Sequence, residues 1–349
     1  ASHAFMTVRS QKIGDSYVVH ASRGWVDEEG FARDSAGIPL GAEDGCGHLN
    51  LTSMQARPAP AGALAIDTPL IALTSKWNYK FFHWIIENLS RLALVQGELV
   101  EGDARLLTTC KGGLAKESLA MFGISGHRVI CWHHGRAYRT SRELLWPEPS
   151  PCGGLRHGAG QFLRRRALLP HLRPFVSRPN EGTPNSILLY QRHRHRILLE
   201  HEAVLKGLIN DYGSSSVRIV DGSGSLRSQV EVYRAARCQV GPHGAGLAMM
   251  LFAPDDFGTA EITPGAYFVM VKRKSARYSH TQLNRNRNRT GRTVTSSAPN
   301  ACFRGLAASL GQVHFWEIVG GATANENLGI DANTVLSLAR KSCRSQMPT

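Results

Sequence analysis

Residues 238–263, CQVGPHGAGLAMMLFAPDDFGTAEIT, carry the pattern that decides the fold. Cys238, Gln239 and Val240 read as a short buried strand. A glycine turn follows, then an apolar helix after Gly246, then a second strand at 260–263. Gly241, Gly244 and Gly246 have no side chain to block an incoming anion. The turn can therefore offer backbone N–H groups at the positive end of the helix, where phosphates bind. His243 sits inside the turn as a further donor. Glu261, at the end of the next strand, is placed to accept hydrogen bonds from sugar hydroxyls. A phosphate cradle followed one strand later by a carboxylate suits a nucleotide sugar. The spacing is G-x-x-G-x-G, which is neither the dinucleotide fingerprint nor the P-loop. A turn that only packs a helix on a sheet would use the same glycines.

Upstream the pattern continues. SILLY at 186–190 reads as a strand, 200–210 as a helix, 217–220 as a strand and 225–236 as a helix. Strands alternating with helices of this length predict a parallel, doubly wound α/β sheet. Such sheets place ligands at the carboxyl ends of their strands, where the glycine turn falls. The first half is less regular. Residues 64–73 read as one or two strands and 79–96 as a helix. Strands at 104–108 and 128–132 flank a short helix at 114–121. A Pro-, Gly- and Arg-rich region at 147–184, with a helix at 160–169, forms the natural boundary. These signals predict an N-terminal α/β domain over 1–175 and a nucleotide-binding domain over 176–325. A closing helix and tail, amphipathic at 333–343, fill 326–349.

The 349-residue chain carries 41 Lys and Arg against 27 Asp and Glu, a net charge of +14. That excess implies an anionic partner: nucleic acid, a phosphosugar or an acidic membrane. Residues 262–316 contain no acid, while Lys272, Arg273, Lys274, Arg277, Arg285, Arg287, Arg289 and Arg292 crowd one insertion. NRNRNR there suggests nucleic-acid binding as an alternative function. Interleaved aromatics and a recognised module are missing, so no nucleic-acid partner is expected. No run of 18 apolar residues exists, and ASHAFMTVRS is not a signal peptide. A membrane anchor would therefore lie outside these residues. Seven cysteines and sequons at Asn50, Asn88 and Asn288 favour a secretory compartment, with at least one disulfide and one unpaired thiol. Cys131, His133 and His134 lie close together but lack the paired spacing of a metal site.

Two further segments carry chemistry. In NYKFFHWIIENLSRL (78–92), His83 and Glu87 are four apart, so an imidazole and a carboxylate share one helical face. Such a pair can act as base and orienter, or can be a buried histidine satisfied by a glutamate. The same burial argues against glycosylation of Asn88. In LLYQRHRHRILLEHEAV (188–204), Arg192, Arg194 and Arg196 leave a strand before a helix. They can pair with a diphosphate or form a solvated basic turn. No D-x-D occurs, so cations and a helix terminus would have to stabilise the leaving group in place of a metal.

Together these segments, with LAASLGQVHF at 306–315, resemble glycosyltransferase family 61 in order and spacing. That family includes plant-type β-1,2-xylosyltransferase, related arabinosyl- and xylosyltransferases, and O-linked N-acetylglucosaminyltransferases. The resemblance implies a GT-B fold of two Rossmann-like domains, inversion at the anomeric carbon, and no metal or cofactor beyond a UDP-sugar co-substrate. It implies that His243, Gly244, Ala245 and Gly246 bind the donor diphosphate, that Arg192 and Arg196 neutralise it, and that Glu261 holds the ribose. His83 and Glu87 would be the catalytic pair on the acceptor side, which makes 1–175 the acceptor-side domain. UDP-xylose is the first expected donor and UDP-N-acetylglucosamine the alternative, with a glycan or glycoprotein acceptor in the Golgi lumen. Three features depart from the family pattern: Leu199 replaces an Asn, Ser90 replaces a Pro, and the basic insertion at 272–300 interrupts the path to the next strand.

Overall fold

A computed structural model describes residues 8–13, 16–41, 55–74, 78–100, 102–148, 185–266, 302–323 and 326–344. The helix expected at 160–169, the basic insertion, Asn50, Asn288, Cys46 and Cys152 lie outside the described residues. The chain is mixed α/β. It divides into one unit of residues 1–183, 224–231 and 302–311 and a second of 184–223, 232–301 and 312–349.

Among the described residues the first unit holds ten strands: β1 (Val8–Ile13), β2 (Ser16–Ser22), β3 (Trp25–Val26), β4 (Ala32–Arg33), β5 (Leu64–Ile66), β6 (Leu70–Ala72), β7 (Arg105–Thr109), β8 (Val129–Trp132), β9 (Tyr138–Thr140) and β10 (Glu143–Pro147). One sheet runs β1-β2-β10-β6-β7-β8 and a smaller one β4-β3-β9-β5. In the larger sheet β10, β6, β7 and β8 are parallel, while β1 and β2 add an antiparallel edge. Val19, Ala21, Leu70, Ala72, Leu107 and Leu144 bury its core. At the smaller sheet Asp27 is fully buried. Its Oδ2 accepts from Arg33 Nε at 2.9 Å and Arg57 Nη2 at 2.6 Å, and its Oδ1 accepts from the N–H groups of Glu29 and Phe31. All four acceptor directions of this carboxylate are thus engaged, which burial of a charge requires.

The expectation of one regular helix at 79–96 is corrected. The chain winds as a wide π turn over His83–Asn88, tightens into a 3₁₀ stretch over Leu89–Val95, and ends as an α-helical turn over Gln96–Val100. The N–H of Leu89 donates to Trp84 O, the i→i−5 bond of a π turn. Tertiary demands set this winding. Trp84 Nε1 donates to Ser118 Oγ at 2.8 Å, and Arg91 is clamped into the sheet at the other end. Residues Trp84 to Leu92 are buried on every side, so the segment has no solvent face to keep in register.

The second unit is a five-stranded parallel sheet of β11 (Ser186–Tyr190), β12 (Val217–Val220), β13 (Ala236–Pro242), β14 (Gly258–Ala266) and β15 (Val313–Thr323). Helix His201–Tyr212 follows β11, and helix Leu226–Arg234, most of which belongs to the first unit, follows β12 along the chain, as the alternation predicts. The helix expected after Gly246 forms as a 3₁₀ helix over Ala245–Phe252, buried from Leu247 onward. The closing helix, Ala332–Arg344, packs Val335, Leu336 and Ala339 against Ile187, Leu189, Val240 and Ile262, sharing that face with Val204 and Leu208. Cys343 near its end forms a disulfide with Cys238 of β13, and Cys110 pairs with Cys131 in the first unit. Cys131 is therefore committed to a disulfide and is not a metal ligand. The strand order is β12-β11-β13-β14-β15. The chain leaves β11 in one direction to β12 and crosses back to β13 on its other side. The topological switch therefore lies between β11 and β13, and crevices at such switches are where open α/β sheets bind ligands.

Candidate active site

Both strands at that switch end in residues singled out by the sequence. β11 ends at Tyr190 and runs into Arg192 and Arg196; β13 ends in the glycine turn. The structure brings these together. Arg192 Nε donates to His195 O at 2.8 Å, and its Nη1 donates to His243 O at 3.3 Å, so this arginine straps the basic turn to the glycine turn. His195 and Arg196 both take left-handed backbone angles, φ 38° and 59°. Non-glycine residues adopt this region rarely and at a cost, and such strain concentrates at functional sites.

The glycines turn out to make room for protein as well as for any anion. A Cβ on Gly244 would lie 1.8 Å from Arg192 Nη1, and one on Gly246 would lie 2.3 Å from the Tyr190 hydroxyl. Gly244 itself is extended at φ 174°, so no left-handed angle requires glycine there; a Cβ would instead displace the end of the Arg192 side chain. Tyr190 interacts with the Gly246 backbone. Burial raises its phenol pKa, partly offset by Arg192, so the ring stays neutral. Beneath the turn, fully buried Gln239 donates from Nε2 to Leu247 O and Thr259 Oγ1 and accepts from the Tyr233 hydroxyl. The turn is thereby built on a satisfied polar platform, which fixes the start of the 3₁₀ helix.

Glu261 occupies a different setting from the sugar-facing one expected of it. It is fully buried, and each carboxylate oxygen is taken by an imidazole. Oε1 pairs with His243 Nδ1, and Oε2 with His314 Nε2 at 2.8 Å. Burial raises its pKa, but the bonds from His243 and His314 outweigh that and hold it below the ordinary carboxyl range. His314 was not singled out as a site residue, although the LAASLGQVHF stretch contains it. Its partner lies 53 positions away on the neighbouring strand, a pairing that only the register Thr259↔His314 reveals. On the other flank of the switch, Asp221 follows β12. Bonds from Ser223 and His193 hold its carboxyl down to about 2, so it is ionised at any working pH.

In the first unit His83 Nδ1 and Glu87 Oε2 are 2.7 Å apart, with side-chain exposures of 25% and 6%. The imidazole is the accessible partner and the carboxylate the sheltered one. The next turn anchors them. Arg91 Nε and Nη2 donate to Pro147 O at 2.8 and 2.6 Å, and Nη2 also reaches Ala72 O at 3.1 Å. Those carbonyls end β10 and β6, the two strands that meet at this sheet's own switch point. Burial lowers the Arg91 pKa to about 9, which leaves it cationic at neutral pH. Asn88 is buried, and its Nδ2 donates to His83 O at 2.8 Å, so the sequon amide is already engaged. Ser90 is also buried and donates from Oγ to Glu87 O at 3.3 Å. Among the described residues no group of three or more His, Cys, Asp or Glu is arranged to hold a metal ion, and no helix is long and apolar enough to cross a membrane.

The family model described as Glycosyltransferase 61 matches residues 81–260, just over half of the chain. The chain belongs to glycosyltransferase family 61. No curated protein is similar enough to it to count as a match. The matched stretch of this glycosyltransferase takes in His83, Glu87, Arg192, Arg196 and the glycine turn; Glu261 and His314 lie beyond it. Membership implies a nucleotide-sugar donor and a glycan acceptor in general terms.

Proposed function

We propose that the protein is an inverting glycosyltransferase of GT-B type that moves a sugar from a UDP-sugar to a hydroxyl of a glycan or glycoprotein. The observation that carries this reading is that Arg192, from the same turn as Arg196, reaches the glycine turn at His243 O at the switch point of a parallel sheet. Guanidinium groups, an imidazole and backbone N–H groups can neutralise a diphosphate leaving group without a metal. His83, oriented by Glu87, serves as the base that removes the acceptor proton while UDP departs. UDP-xylose is the first donor to test and UDP-N-acetylglucosamine the second. Two disulfides favour an oxidising compartment, consistent with a Golgi luminal enzyme.

A thermal-shift panel of nucleotides and nucleotide sugars tests the donor. At 100 times its dissociation constant a true ligand adds about 2.7 kcal/mol of stability. His243→Ala and Arg196→Ala should each weaken UDP binding by roughly 1.5–3 kcal/mol, the scale of a lost charge-assisted hydrogen bond. EDTA should leave turnover unchanged. No response to any uridine nucleotide, or full affinity in both variants, would remove the donor assignment.

A further inference from the structure

Glu261 was expected to meet the donor ribose, and its geometry points elsewhere. A carboxylate offers only acceptor positions, so each facing imidazole nitrogen must carry a proton. Nδ1–H of His243 donates to Oε1, and Nε2–H of His314 donates to Oε2. His243 is also held through its backbone. Its N–H donates to Ile262 O at 2.7 Å, and its carbonyl accepts from Arg192 Nη1. With Nδ1 committed to Glu261, Nε2 is the other nitrogen of this ring. His314 ends the chain, because its Nδ1 is buried and has no hydrogen-bond partner among the described residues. Both histidine side chains are more than nine-tenths buried, and the three groups come from the end of β13, from β14 and from β15.

We infer that Glu261 is a positioning residue and not a sugar ligand: it fixes the ring orientation and tautomer of His243 so that Nε2 is presented to the donor diphosphate, with His314 holding the carboxylate from its other oxygen. The inference rests on the donor role proposed above for His243. A buried acidic partner behind a functional imidazole is a recurrent way to set which ring nitrogen faces the ligand. Glutamine at 261 keeps the shape but offers one acceptor oxygen and one donor amide, so it cannot satisfy both rings in their native tautomers.

Histidine side-chain ¹⁵N–¹H NMR on the intact protein reads the arrangement without reference to function. The wild-type protein should show a proton on Nδ1 of His243 and on Nε2 of His314. A His243 ring protonated on Nε2 alone would overturn the inference even if no variant folds. In Glu261→Gln at least one of the two patterns should change; two unchanged patterns count against it. Calorimetry with UDP and 2′-deoxy-UDP then separates positioning from sugar contact. Glu261→Gln should weaken UDP at least tenfold, yet preserve the wild-type ratio between UDP and its 2′-deoxy analogue. In a His243→Ala background the same substitution should change affinity by less than twofold. Loss of the ribose discrimination, or independent multiplication of the two effects, would show a direct ligand instead. If His243→Ala alone leaves UDP affinity intact, the donor reading fails, while the NMR result still judges the positioning.

Discussion

Glu87→Gln should lower turnover by about 10²–10⁴-fold while UDP affinity stays within a few-fold of wild type. The carboxylate lies against His83 Nδ1 at 2.7 Å and is shielded from solvent, whereas the imidazole is a quarter exposed. In that geometry the glutamate selects the tautomer with Nδ1–H and stabilises the imidazolium formed when His83 takes the acceptor proton. Glutamine fills the same space and can still accept one hydrogen bond, so the winding of the segment should survive. What disappears is the negative charge that favours proton transfer. His83→Ala should cause a loss of the same order, and the double variant should lose little more than either single one, because the two act as a unit. Steady-state kinetics and UDP calorimetry on melt-checked variants decide the matter. Near-normal turnover in both variants would reduce the pair to a packing contact within a buried helix.

The second large effect concerns stability. Replacing both Cys238 and Cys343 by Ala should cost more than replacing Cys110 and Cys131. The first disulfide joins positions 105 apart and the second positions 21 apart. Loop-closure entropy in the unfolded chain gives about 5 kcal/mol for the long loop and about 3 kcal/mol for the short one. Alanine is used on both partners because Cys238 and Cys343 are almost wholly buried, and a lone thiol there would add its own effect. The loss should concentrate in the second unit, since Cys343 ties the closing helix to β13 beneath the candidate donor turn. Urea unfolding monitored with and without saturating UDP is the measurement. Equal midpoints for the two double variants, or a larger loss for the short loop, would contradict this ordering.

Much of this protein is legible in the sequence because its second unit is built from short-range patterns. The strands at 186–190 and 217–220 fall where the apolar runs place them, and the helix at 114–121 does too. Runs of apolar residues bounded by polar or glycine-rich turns set these elements by local physics alone. The His83–Glu87 and Arg192–Arg196 groupings are also local, since their members lie within five residues of each other. Other features depend on distant partners. The strands β3, β4, β5 and β9 span two or three residues each, too few for a period to show, and they exist because neighbouring strands satisfy their backbone groups. The π turn at His83 arises from anchors at Ser118, Ala72 and Pro147. Gly244 and Gly246 announce a tight turn, but only the packed structure shows Arg192 and Tyr190 lying against them. The pairings Cys110–Cys131 and Cys238–Cys343 have no local signature at all. Glu261 makes the same point most sharply. The sequence determined that a carboxylate would follow the glycine turn by one strand. The tertiary structure decided that it would be sealed between two imidazoles, because the β14–β15 register sets His314 opposite Thr259, diagonally within reach of it, and burial leaves a charge stable only where such donors surround it.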